Sequence, residues 1–169
     1  MNLKNYCYFV EGPDDKKVVD TLKTQLKLIY PGKVFTLNVV QEKITKLHLR
    51  NLKNNTILVL VYDVDTNNTD VLQENLNFLK KQSIIKEVVC IPQVLKLEEE
   101  LVRSCSIKSI KELTNSKSNS DFKKDVLKIS NLDARLKNTN FDFSKFWCTK
   151  PKNSFSRFPN DSKCIRKEF

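Results

Sequence analysis

The chain has 169 residues, enough for one well-packed domain or a domain with a small appendage, and too few for a multidomain machine. Its 30 Lys+Arg against 20 Asp+Glu give a formal charge of +10, which suits a polyanionic partner that releases counterions on binding, although lysines scattered for solubility give the same sum. No stretch approaches the roughly 18 uninterrupted apolar residues of a membrane helix, and residues 1–4 lack the charged-then-apolar pattern of a leader, so no membrane partner and a cytoplasmic location are expected.

Residues 6–10 form an apolar run that ends in Glu11-Gly12-Pro13 and predicts a strand. From Asp14 onward Val18, Leu22, Leu26 and Ile29 recur at helical spacing, and Pro13 with Asp14 and Asp15 makes a good first turn. Pro31-Gly32 then stops the helix. Residues 34–40 predict a second strand, followed by a helix-like stretch with Ile44, Leu47 and Leu52. Residues 57–62 are apolar on both faces, as a central strand covered on each side should be, and lead straight into Asp63-Val64-Asp65. After a turn at residues 66–69, Leu72, Leu76 and Leu79 stripe a helix. Residues 84–91 predict a fourth strand closed by Pro92, and Leu97 and Leu101 mark a helix reaching about Cys105. This β-α-β rhythm predicts an α/β fold with a parallel four-stranded sheet flanked by helices.

Beyond residue 105 the pattern changes. Residues 109–120 are polar and serine-rich, with short helical candidates at 107–113, 122–129 and 132–136, so residues 106–169 are expected to form a helical appendage packed on a domain spanning 1–105. In its last part Phe141, Phe143, Phe146, Trp147, Phe155 and Phe158 are interleaved with basic residues including Lys150, Lys152 and Arg157. Such a tail either covers the domain as core or stacks on unpaired bases beside basic backbone contacts.

Cys7, Cys90, Cys105, Cys148 and Cys164 form no C-x-x-C pair and read as reduced thiols, while His48, the single histidine, lies in a basic helical pattern. Zinc and thiol catalysis are both disfavoured.

In an open parallel sheet, functional groups gather past the carboxyl ends of the strands. Glu11 and the Asp63/Asp65 pair fall at two such ends. In an extended segment the two aspartates point the same way while Val64 points into protein. Acids sharing one edge repel one another unless a hard cation such as Mg²⁺ joins them; alternatively, each carboxylate merely caps its own loop.

Residues 9–15, Phe-Val-Glu-Gly-Pro-Asp-Asp, followed by residues 61–65, Val-Tyr-Asp-Val-Asp, resemble the paired signature of Toprim (topoisomerase-primase) domains, in which one strand ends in Glu-Gly and a later one in Asp-x-Asp. The likeness covers residues 4–104, and Thr66-Asn67-Asn68 stands where a glycine often follows the pair in that family. It implies a Toprim-like, Rossmann-like fold. Glu11 would then be a general acid/base or metal-linked acid, Asp63 and Asp65 metal ligands, and Asp15 a further acid of the nuclease branches. Those branches also resemble this chain in carrying a glutamate after the fourth strand, which makes Glu98 a candidate for a second metal site; Glu99 and Glu100 point progressively away on a helical projection. Lys96 is the nearest lysine for steadying a phosphate.

The resemblance implies a Mg²⁺- or Mn²⁺-dependent nuclease acting on DNA or RNA, with Glu11, Asp63, Asp65 and Lys96 at its centre and Lys150, Lys152 and Arg157 on the strand. A setting in phage defence or a toxin-like system, with a partner protein, belongs to the same expectation. The alternative is a non-catalytic nucleic-acid-binding or effector subunit that uses the same fold.

Overall fold

Thr56–Asp63 (β3) is buried along its whole length, so both faces of this strand must be covered. Its β-branched residues suit a pleated surface, and the computed structural model, which describes residues 4–167, supplies the cover. Residues 1–3, most of the opening read above for a leader, lie outside the described residues, as do the last two.

Four strands, β1 (Asn5–Val10), β2 (Gly32–Thr36), β3 and β4 (Ile85–Gln93), are joined in the order β2-β1-β3-β4, and every pairing is parallel. The expected α/β, Rossmann-like sheet flanked by helices is present. Alternate residues go to opposite faces. Tyr8, Val10, Val59, Val61 and Ile91 pack with α1 (Pro13–Thr24), α4 (Leu97–Ser104), α5 (Lys111–Thr114), α6 (Phe122–Lys128) and α7 (Leu132–Asn138). Phe9, Leu58, Leu60 and Tyr62 pack with α3 (Asp70–Leu79) and with the segment holding Leu37 to Leu49, which includes the single turn α2 (Lys46–Leu49).

Several boundaries differ from the sequence expectation, each for a local reason. Strand β4, expected to close at Pro92, runs through it to Gln93 because it is an edge strand, where a proline is tolerated. Helix α1 ends at Thr24 because the chain turns at Lys27, whose φ is 57°, and delivers Ile29 to an antiparallel bridge with Arg166. Strand β2 starts earlier, at Gly32, and stops at Thr36, because the Asn38 side chain accepts from the Val40 and Gln41 N–H groups and folds residues 38–41 into a turn. Gly32 is required by packing: a Cβ there would lie 2.4 Å from the Tyr6 carbonyl oxygen. The helix-like stretch around Leu47 shrinks to α2, and His48 is exposed.

The C-terminal residues pack on both sides of the sheet. Phe122, Val126, Leu136, Phe146 and Trp147 join the first face, and Phe155 and Phe158 the second. Trp147 is 1% exposed and Phe146 and Phe155 are fully buried, so these tail aromatics are core rather than a stacking platform. The outer edge of β4 is also closed, by Asp161, whose N–H donates to the Cys90 carbonyl and whose carboxylate accepts from the Cys90 N–H. Cys7, Cys90 and Cys105 are buried and Cys148 and Cys164 exposed, all as free thiols.

Candidate functional site

The chain leaves β1 through α1 to reach β2 on one side, and later returns with β3 and β4 on the other side of β1. The winding therefore reverses between β1 and β3, and a crevice opens at their carboxyl ends, where open α/β sheets bind ligands. Val10 pairs with Val61, so the residues just beyond each strand meet. The Asp63 N–H donates to Glu11 Oε2 at 3.2 Å. The neighbouring tip adds Gln93, in register with Asp63 on β4.

Gln93 is fully buried and organises the acids. Its Nε2 donates to Asp63 Oδ1 at 2.8 Å and to Asp15 Oδ1 at 2.7 Å, while its Oε1 accepts from Trp147 Nε1 at 3.0 Å. Asp15 sits in the first turn of α1 and accepts the Gly12 N–H through Oδ2. Gly12 leaves little room: a Cβ there would stand 2.9 Å from Asp14 Oδ1.

Trp147 is held from three directions. Its φ of 58° is left-handed, a conformation costing on the order of 1–3 kcal/mol that persists only where the surroundings enforce it. Here its N–H donates to Glu100 Oε2, and its carbonyl accepts from Asn160 Nδ2 and Ser162 Oγ. Glu100 also takes the Val94 N–H at 2.8 Å and pairs with Arg103 at 2.9 Å. The helical projection that pointed Glu100 outward is thereby corrected. It is fully buried, because the segment carrying Trp147 lies over that side of α4.

Burial pushes the Asp63 carboxyl up to about 9, helped by the charges of Glu11 and Asp15 and opposed by the Gln93 amide. Burial and then Asp14 push Asp15 up to about 7. Glu11 is raised by burial, opposed by the Asp63 N–H and reinforced by Asp65. Lys123 of α6 stands 3.9 Å from Asp14 Oδ2 and 4.0 Å from Glu98 Oε1. Burial works against its charge, yet Asp14, Glu98, Asp63 and Asp15 hold its pKa above the ordinary value.

No family model, curated protein or solved structure matches the chain. What the edge can do follows from its own chemistry. Glu11, Asp14, Asp15, Asp63 and Glu98 present only hard carboxylate oxygens, and Glu98 Oε2 is buried without a hydrogen-bond partner among the described residues. Such a donor set fits Mg²⁺ or Mn²⁺, which prefer oxygen and offset the repulsion among carboxylates gathered at one edge. As the side chains lie, no three His, Cys, Asp or Glu groups among the described residues converge on one ion.

The structure thus brings Glu11, Asp15 and Asp63 together. Asp65 is exposed just past β3 but close enough for its charge to raise Glu11 and Asp63. Glu98 joins through Lys123. Lys96 stands at the residue before α4 and lines a cleft with Glu98. Lys150 and Lys152 are exposed, whereas Arg157 is committed to Thr69 Oγ1 at 2.7 Å and to the Phe158 ring. Sequence reasoning missed Gln93, Asp14, Lys123 and Trp147. Gln93 was hidden because Pro92 reads as the close of the fourth strand, whereas β4 runs through it to Gln93.

Proposed function

We propose that the chain is a Mg²⁺- or Mn²⁺-dependent nuclease of the Toprim-like type that hydrolyses phosphodiester bonds in DNA or RNA. The observation that carries this reading is the meeting of Glu11 and Asp63 at the crevice between β1 and β3, with Asp15 fixed beside them by Gln93. An edge that is costly to ionise in a chain of charge +10 is readily explained if a divalent ion and a polyanion complete it together.

Glu11, Asp63 and Asp65 would hold the ion, with Asp15 and Glu98 adjoining. Bound there, the ion would supply positive charge to the phosphoryl oxygens and would acidify an attacking water. The chain's own groups do the rest. Gln93 keeps Asp63 and Asp15 from rotating away, and Glu11 accepts the Asp63 N–H, which ties the two strand tips together. Lys96 and Lys123 flank Glu98 and offer positive charge to the strand.

The test is incubation with labelled single- and double-stranded DNA and RNA in Mg²⁺, Mn²⁺ or EDTA. Cleavage in either metal, abolished by EDTA and by Asp63→Ala with the circular dichroism spectrum retained, is the expected result. Cleavage that survives Asp63→Ala sinks the assignment, and retention of nucleic acid without any cleavage makes the chain a binding module instead.

A further inference from the structure

We infer that the cleft between α4 and the segment carrying Lys108 to Lys123 binds one nucleotide unit of a nucleic-acid strand, its phosphate at the lysine rim and its base on the apolar floor. This inference rests on reading the adjoining acidic edge as a phosphodiester-cleaving centre. The cleft has a volume of about 570 Å³, within the range of small-ligand sites, and opens to solvent. Lys96, Lys108 and Lys123 supply its positive charge, and Val102 and Ile110 its apolar surface.

A second, independent feature narrows the ligand. Glu98 is 9% exposed, lines the cleft and leaves Oε2 buried with no donor among the described residues; Glu99 Oε2 is in the same position. Buried acceptors without donors are costly and are normally satisfied. A simple anion would suit the lysines but be repelled by these carboxylates, and a simple cation the reverse. A nucleotide carries both complements: phosphate for the lysines, and amino, ring N–H or sugar hydroxyl donors for the Glu98 and Glu99 carboxylates that line the cleft. Lys123, within 4.0 Å of both Asp14 and Glu98, belongs to cleft and acidic edge alike, so a strand seated here passes directly by Glu11 and Asp63.

The experiment measures the binding of a short end-labelled single-stranded oligonucleotide by fluorescence anisotropy, in EDTA and again in Ca²⁺. The variants are Lys108→Glu on the rim, Ser120→Trp to fill the cleft, and Lys33→Glu on β2 at the far end of the sheet as control. Each cleft variant is expected to weaken binding by about tenfold or more, and Lys108→Glu to lower the slope of log affinity against log salt by about one counterion. Lys33→Glu should change affinity by less than about twofold, since an isolated surface charge contributes only screened attraction. The rise in melting temperature given by Mg²⁺, which reports on the acids, should be unchanged in both cleft variants. Equal binding by the parent, both cleft variants and the control, or no binding by the parent, overturns the inference. If the parent cleaves nothing while the cleft variants still lose binding, the cleft stands and the nuclease reading falls. If the parent cleaves in Mg²⁺ while the cleft variants bind like it, the reverse holds.

Discussion

Gln93 and Asp63 meet at the tips of neighbouring parallel strands, the Gln93 amide donating to Asp63 Oδ1 at 2.8 Å while the same nitrogen holds Asp15 at 2.7 Å. One neutral, fully buried side chain therefore fixes two acids that would otherwise repel each other apart, and its own orientation is set by Trp147 Nε1.

Replacing Gln93 by Leu removes the donor from both carboxyls and leaves the Trp147 N–H unpaired. A loss of roughly 1–3 kcal/mol in unfolding free energy is expected for such buried groups left unsatisfied. Urea denaturation at fixed pH measures it, and unchanged stability would mean that the amide carries no structural load.

Stability should depend on pH in a definite direction when metal is chelated. Asp63 and Asp15 have folded pKa values of about 9 and about 7, both above the ordinary 3.8, so folding favours their protonated forms. Their contribution is fully present below about pH 4 and is lost as pH rises through 7 and toward 9. In EDTA the melting temperature should accordingly fall between mildly acidic and alkaline pH. Asp63→Asn, which keeps an acceptor for Gln93, should flatten that fall and melt several degrees higher at alkaline pH, at roughly 2–4 °C per kcal/mol for a chain of this size. A variant that melts with the parent's pH profile contradicts the assignment.

Trp147 is the single tryptophan and is 1% exposed, which makes it a reporter of the tail. Its fluorescence should resist acrylamide until the protein unfolds, and saturating oligonucleotide should leave that protection unchanged. Truncation to Ala should cost about 3–5 kcal/mol, as for other large buried aromatics. Strong quenching of the native protein would instead return the tail aromatics to the surface.

Glu100 is a scaffold acid, accepting from the Val94 and Trp147 N–H groups and from Arg103. Glu100→Leu should therefore destabilise by roughly 1–3 kcal/mol, the cost of leaving the Val94 and Trp147 N–H groups without their acceptor, since Arg103 is exposed and returns to water. Glu99→Ala, on a half-buried neighbour, should cost far less.

The sheet was legible because β3 is an unbroken apolar run and because acids stand directly after β1 and β3. Nothing local announces the Trp147–Gln93 contact, whose partners lie 54 residues apart and are joined only by the fold. Glu100 was misread because a helical projection knows its own helix but not what lies across it. The end of α1 was equally hidden: Leu26 and Ile29 keep helical spacing, yet Ile29 is claimed by a bridge to Arg166.

Isothermal titration of Mg²⁺ into the metal-free protein near neutral pH tests the central claim most directly. A saturable heat in the parent, lost in Asp63→Ala and strongly weakened in Glu11→Gln while Lys33→Glu retains it, is the predicted result. Saturable binding of equal strength in the parent, Asp63→Ala and Glu11→Gln, or no binding in the parent, would contradict a cation shared between these two strand tips.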